Sequence, residues 1–252
     1  MILNLQQGII YGPVNSRRLG RSLGINILST RIKVCSFNCL YCQYGHTNVP
    51  ASELSHAQNF PPANEVREAI ASTLPTILPA PAYITLSGNG EATLHPEFEE
   101  IVKGIIDLRD NYCPEARTAI LSNSSTITDQ GIRNALEMLD VRIMKFDSAD
   151  ERMFKTYNRS CCNIQLHDII EGLRSLNKVT IQTLFSQGKR GNCDPDHLNL
   201  WLEKIKYIKP GHVQIYTLDR GYEAKDIYPT KKELLMTIKD RLSRIDISSD
   251  VY

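Results

Sequence analysis

Between residues 23 and 245, short apolar runs alternate with longer stretches in which apolar residues recur every three or four positions. The short runs are SLGINIL (22–28), AYITLSG (82–88), RTAILSN (117–123), VRIMKFD (141–147), KVTIQTLF (178–185) and HVQIYTL (212–218). Each is rich in Ile, Val, Leu, Thr or Tyr, and several are apolar without strict alternation, the pattern of strands buried on both faces. In PEFEEIVKGIIDL, Phe98, Ile101, Val102 and Ile105 share one helical face, and Glu97, Glu99 and Glu100 suit the positive end of a helix dipole. TDQGIRNALEML aligns Ile132, Ala135, Leu136 and Leu139; LHDIIEGLRSL aligns Ile169, Ile170 and Leu173; HLNLWLEKIKYI aligns Leu198, Leu202 and Ile205. A last helix carries Leu235, Ile238 and Leu242, with Thr230 three residues before Glu233, a capping-box spacing.

Six strand–helix units in series predict a parallel sheet with right-handed crossovers. Eight such units close a barrel of about 250 residues, and six leave it open on one side. The expected fold is therefore α/β: a partial (β/α)6 TIM-like barrel of parallel strands, with its chemistry at the C-terminal strand ends. One domain is expected over residues 1–252: a lead-in (1–21), six units (22–218), and a C-terminal helix and tail (219–252). The longest irregular loop is expected at 43–62.

Composition narrows the class. The chain has 252 residues, a net charge of +1 and 42% hydrophobic residues. That balance gives no basic surplus to announce nucleic acid and no acidic tail. The N-terminus lacks a basic region and a long apolar run, so no signal peptide is expected, and no apolar stretch reaches the roughly 20 residues a membrane span needs. Seven cysteines, an odd number, argue for reduced thiols in the cytoplasm rather than a disulfide framework.

Three of those cysteines, Cys35, Cys39 and Cys42, follow the first strand as Cys-x3-Cys-x2-Cys. Soft thiolates select iron–sulfur clusters, zinc or Cu(I). A structural zinc ion takes four protein ligands, and His46 lies close enough in sequence to complete a Cys3His knuckle. Three ligands to a four-iron cluster would instead leave one iron open to a cosubstrate. After the second strand comes SGNGEATLHP, a turn rich in residues that tolerate positive φ.

The cysteine spacing, its place after the first of six units and the glycine turn together resemble the radical S-adenosylmethionine (SAM) superfamily over nearly the whole chain. The resemblance implies one [4Fe–4S] cluster on Cys35, Cys39 and Cys42, with SAM as cosubstrate. It implies that Tyr41 packs near the adenine and that Gly88, Asn89, Gly90 and Glu91 hold the SAM amino group, with Asn89 inserted between the glycines as a departure. Ser122, Asn123, Lys145 and Asp147 look like counterparts of residues that contact the SAM ribose and carboxylate; Asn123 and Asp147 also suit a plain capping role. YGPVNSRRLGRSLGIN, YNR (157–159) and VQIYTLDR resemble a branch of small iron–sulfur oxidoreductase-like proteins related to the core of the wyosine-forming tRNA enzyme. The chain departs from that branch at Asn15, Ser160 and Gly221, where proline is common.

Arg17, Arg18 and Arg21 form a basic cluster in sequence, and Arg17, Arg18, Arg159 and Arg220 are the substrate-contact candidates. An arginine fork suits the SAM carboxylate, a substrate phosphate or a tRNA backbone; a solvated ion-pair face is the plainer alternative. Cys113, Cys161, Cys162 and Cys193 are expected to be ordinary thiols, with the Cys161–Cys162 pair also a candidate to face substrate. The implied reaction is reductive SAM cleavage to a 5′-deoxyadenosyl radical that takes hydrogen from a substrate, with the electron from a flavodoxin- or ferredoxin-like donor. RNA is the first candidate substrate; a peptide, protein or small metabolite is the alternative, and a non-enzymatic zinc module the third reading.

Overall fold

The computed structural model describes residues 2–47, 49–50 and 60–252. An antiparallel hairpin comes first, β1 (Ile10–Ser16) and β2 (Gly20–Ile25). Two short paired strands follow, β3 (Val34–Cys35) and β4 (Val49–Pro50). The chain then runs α1 (Ala63–Thr73), β5 (Tyr83–Leu86), α2 (Phe98–Tyr112), β6 (Arg117–Ser122), α3 (Gln130–Met138) and β7 (Val141–Lys145). After β7 come a single turn, α4 (Glu151–Met153), a π-helical turn at Phe154–Asn158, α5 (Leu166–Ser175), β8 (Thr180–Gly188), α6 (Pro195–Ile208) and β9 (His212–Thr217). β10 (Ile227–Pro229), α7 (Lys232–Ser243) and β11 (Ser249–Val251) complete it.

All six strands expected from the apolar runs are present, trimmed by a few residues at their ends. They form one parallel array in the order β2-β5-β6-β7-β8-β9. Three strands join it beyond the sequence reading, two of them at its edges. β1, within the lead-in, flanks β2 antiparallel, and β11, within the tail, adds parallel to β9. Among the described residues the sheet is nine-stranded and open, with β1 and β11 at its two edges and β10 paired to β8 off the main path. Of the irregular loop expected at 43–62, residues 48 and 51–59 lie outside the described residues.

One face of each strand packs on helices. Leu23, Ile25, Ile84, Leu86, Ile120, Met144, Ile181 and Phe185 join Phe98, Ile105, Leu136, Leu173, Trp201 and Ile238 in one buried cluster. Because side chains alternate along a strand, Ala119 and Ile143 point to the opposite face, the barrel interior, where Leu19 from the β1–β2 turn packs on them. The turn therefore plugs the N-terminal end of the barrel. Ser16 shapes it, its hydroxyl accepting from the amides of Arg18 and Leu19.

The helix faces read from the sequence are the buried ones: Phe98, Ile101, Val102 and Ile105 on α2, and Leu235, Ile238 and Leu242 on α7. Helix α1, unexpected from sequence, buries Val66 and Ile70. The capping box at Thr230 is not made. Thr230 is buried, its amide donates to Thr217 Oγ1, and its hydroxyl meets the Cys193 thiol, so α7 starts after Lys231 without a side-chain cap. No helix among the described residues is long and apolar enough to cross a membrane.

Candidate active site at the cysteine loop

The three cysteines sit on a loop that leaves β3 at the C-terminal side of the sheet, and its neighbours grip it from two sides. On one side the glycine turn after β5 pairs with β3: the Val34 amide donates to Asn89 O, and the Glu91 amide donates to Val34 O. Gly90 has φ +144°, and any Cβ there would collide with the Val34 carbonyl oxygen, so this approach requires glycine. On the other side run the end of the π-helical turn and the segment after it. Leu40 N donates to Tyr157 O at 3.0 Å, Asn38 N to Arg159 O at 3.0 Å, and Cys161 N to Ser36 O at 2.8 Å. Phe37 and Phe154 add an edge-to-face contact with centroids 5.3 Å apart.

Two amide side chains aim at the sulfurs. Asn123 Nδ2 lies 3.4 Å from Cys35 Sγ, and Asn158 Nδ2 lies 3.7 Å from Cys39 Sγ. Burial pushes the Cys35 thiol well up and the Cys39 thiol up to about 11, so both keep their protons unless a soft metal centre replaces them. Lys33, 4% exposed, donates to Gly45 O at 2.7 Å and faces all three sulfurs, which would be its counter-charges once ionised. A donor set of three thiols, with amide donors on two of them and an enclosed cation beside them, fits an iron–sulfur cluster, whose sulfurs accept such bonds and whose net charge they balance.

A zinc staple asks its donors to converge on one ion. A four-iron cluster instead offers a separate iron to each thiolate. His46 is turned elsewhere: Nε2 meets the Glu223 carboxylate at 2.7 Å and Nδ1 meets Asn38 Oδ1 at 3.3 Å.

The remaining expected cofactor contacts fall into two buried networks. In the first, Glu91 is 1% exposed; Oε1 accepts from the Thr93 amide and hydroxyl and from Ser122 Oγ, and Oε2 accepts from the Asn123 amide. Burial raises its pKa against those four donors. Glu91 thus braces the end of β5 to the end of β6, a role the sequence does not signal for a group expected to face the SAM ammonium. Asn89, the departure from the family turn, is fully buried. Its amide hydrogens go to Gln6 O and Ser29 O, and its Oδ1 accepts from Gln6 N. Its backbone is engaged as well, the amide donating to Asn26 Oδ1 at 3.1 Å and the carbonyl accepting from Val34. Gly88, at φ +141°, lies against the Asn26 side chain.

In the second network, the Asp147 carboxylate accepts from Tyr41 OH, from Asn158 Nδ2 at 3.0 Å and from the Leu184 amide at 2.8 Å, and it faces Lys145 at 3.6 Å. Lys145 also bonds the Tyr216 hydroxyl and stands 4.9 Å from the Tyr41 ring centroid. Tyr41 packs on Tyr157 at 5.2 Å. Asn158 and Tyr157, which link the second network to the loop, were missed as site residues; the YNR signal marked their place without giving their role.

The arginines disperse. Arg17 pairs with the exposed Asp219, Arg21 donates to Pro79 O at 3.1 Å, Arg220 donates to Gln43 Oε1 at 2.7 Å, and Arg159 takes a left-handed conformation beside the loop. Arg18 alone among Arg17, Arg18 and Arg21 reaches the Tyr216 ring. Cys113 is buried and Cys193 lies against Thr230, both away from the loop, whereas Cys161 is tied to it through its amide.

Comparison with known proteins places this geometry. The family model described as "Radical SAM superfamily" matches residues 30–189, which includes the cysteine loop, the glycine turn and most of both networks. UPF0026 protein slr1464 of Synechocystis is 33% identical over 215 residues, covering 82% of this chain and 74% of that protein. A solved radical SAM methyltransferase from Sphaerobacter thermophilus superposes with a TM-score of 0.68 at 14% identity, over 92% of this chain; the chain spans 65% of that structure, less than two thirds. The structure of TYW1 with a lysine-pyruvate adduct bound gives a TM-score of 0.64 at 15% identity, over 89% of this chain and 73% of that one. With more than half its length matched, and a 33%-identical relative covered over most of its own, the chain belongs to the radical SAM superfamily.

Proposed function

We propose that Cys35, Cys39 and Cys42 hold a [4Fe–4S] cluster and that SAM and substrate meet in the barrel interior behind Tyr41. When bound, the cluster and SAM supply a 5′-deoxyadenosyl radical for hydrogen abstraction, with a flavodoxin- or ferredoxin-like protein as the electron source. The chain's own contribution is positional. The Gly90 turn and the segment 157–161 fix the loop, and Asn123 and Asn158 set the polarity around two sulfurs. Tyr41 rests its ring on Tyr157 while Asp147 holds its hydroxyl. The backbone carbonyls of residues 88–91 are the remaining contact for the SAM amino group, since the Asn89 and Glu91 side chains are engaged elsewhere.

The observation that carries this reading is the pair of amide donors trained on thiols that burial otherwise keeps protonated. Anaerobic reconstitution with iron and sulfide, followed by assay for 5′-deoxyadenosine, tests it. A fully loaded protein that forms none under reducing conditions overturns it.

For the substrate, RNA follows from the branch resemblance. The dispersal of the arginines favours the alternative of a peptide, protein or small metabolite, because Arg17 and Arg220 are engaged by Asp219 and Gln43 instead of lining one stripe. Salt-dependent binding of tRNA separates the two, since every backbone phosphate that a Lys or Arg neutralises makes the affinity fall more steeply with salt.

A further inference from the structure

Beside the apolar cluster around Leu19, the interior of the open barrel carries polar side chains. Gln182 and Gln214 bond one another at 2.9 Å, Ser22 and Thr85 meet at 2.7 Å, and Tyr11 OH meets Ser87 Oγ at 2.5 Å. These groups satisfy each other. Arg18 is different. Its guanidinium carbon stands 4.7 Å from the centroid of Tyr216 and 5.9 Å from that of Tyr252, and its Nη1 is buried with no hydrogen-bond partner among the described residues. Lys145 Nζ lies 4.7 Å from the same Tyr216 centroid. Two cations therefore share one ring.

The surrounding carboxylates are already paired. Asp147 faces Lys145, Asp219 holds Arg17, and Asp250, next to Tyr252, meets His212 at 3.4 Å and Lys239 at 3.5 Å. Arg18 has no acid of its own among the described residues. An enclosed guanidinium nitrogen without an acceptor is disfavoured, and Arg18, unlike Lys145 with its Asp147, has no counter-charge, so an anion placed against Arg18 would be stabilised. A guanidinium fork near an ammonium suits a planar or tetrahedral oxyanion.

We propose that Arg18, with Lys145 across the Tyr216 ring, holds a carboxylate or phosphate group of the substrate in the barrel interior. This rests on the reading of the chain as a radical SAM enzyme whose substrate enters that interior. Arg18 comes from the β1–β2 turn, whereas Tyr216 and Tyr252 belong to the opposite edge of the sheet, so an anion bound here would also tie the two edges across the opening.

The test is calorimetric titration of anaerobically reconstituted protein with inorganic phosphate in one arm and acetate in another, at constant ionic strength. One saturable site per chain is expected in at least one arm, phosphate marking a phosphorylated substrate and acetate a carboxylic one. Arg18→Gln is expected to weaken it about 10–100-fold, as removal of a charged, forked hydrogen bond does. Should Arg18→Gln not fold, Arg18→Lys gives the same reading: charge without the fork binds more weakly than wild type. Absence of saturable binding in both arms overturns the proposal, as does wild-type affinity in the arginine variants. Loss of the site on adding saturating SAM also overturns it, because the site would then hold the SAM carboxylate. Iron, sulfide and 5′-deoxyadenosine measured on the same preparation report on the radical reading separately: phosphate or acetate binding through Arg18 in a protein that forms no 5′-deoxyadenosine would leave the anion site standing and remove only its assignment to a radical substrate.

Discussion

At Gly90 the backbone, at φ +144°, presses on the Val34 carbonyl, and the cysteine loop starts one residue later at Cys35. Gly90→Ala adds both a strained dihedral and a collision, and should cost about 2–4 kcal/mol, read as a lower urea midpoint, with poorer iron retention in the same protein. His197 shows how a residue outside the site keeps it in shape. It is buried; Nδ1 donates to Asn192 O at 2.8 Å, and Nε2 accepts from the Ala149 amide at 2.9 Å, two residues beyond Asp147. Only the neutral ring makes both bonds, and burial lowers its pKa below the usual 6.5. The unfolded chain therefore takes up the proton first, so the stability this residue contributes is present in full above pH 6.5 and falls as pH drops toward the folded value. His197→Gln, which keeps one donor and one acceptor, should flatten the fall in urea midpoint between about pH 7 and pH 5; an unchanged slope would remove His197 as its source. The sequence marked Cys35, Cys39, Cys42 and Gly90 because their chemistry or conformation is unusual. It did not mark His197 or Lys33, and marked Asn158 only within YNR without a role; these are ordinary residue types whose importance arises from what surrounds them.

The elements that set the site are the short ones. α4 is a single turn capped by Asp150, whose Oδ1 accepts from the Met153 amide at 2.8 Å. The π-helical turn that follows delivers Tyr157 and Asn158 to the cysteine loop. Asp150→Ala should cost about 1 kcal/mol through removal of an N-cap. Because this turn carries the Asn158 donor to Cys39, the variant should also lose iron to a chelator faster than wild type; a change in stability with unchanged iron release would limit Asp150 to a structural role. Long elements were legible in the sequence since their periodicity repeats over several turns, as in α2 and α6. β1, β11 and α1 were not. β1 carries Gly12 and Pro13 among few inward apolar residues, β11 has three residues, and α1 shows only Val66 and Ile70 as large buried signals of a stripe. Thr230 and Glu233 have a capping-box spacing, yet tertiary contacts with Thr217 and Cys193 claim the threonine.

For the whole molecule, the decisive question is which metal centre the scaffold carries. In reconstituted protein, Cys39→Ala should abolish cluster assembly, whereas His46→Ala should retain about four irons per chain, as a cluster held by thiolates alone requires; zinc bound in wild type and lost in His46→Ala would reverse the reading. The scaffold itself rests on the helix-facing side of the sheet. Trp201 is fully buried, meets Phe185 edge-on at 5.0 Å and donates to Phe146 O at 3.1 Å. Trp201→Ala should cost about 3–5 kcal/mol by chemical denaturation, the toll of a large core cavity. The amino-acid order by itself determined six strands, their parallel arrangement and the thiol triplet, because hydrophobic period and the rarity of clustered cysteines act over short distances along the chain. Tertiary structure alone decided that Arg18 turns inward while Arg17 and Arg21 do not, that Glu91 and Asn89 brace the frame, and that Lys33 and two asparagines surround the sulfurs. Those outcomes depend on which charges and amides meet across long stretches of chain, and burial and pairing, the forces that select among them, exist only once the sheet has assembled around them.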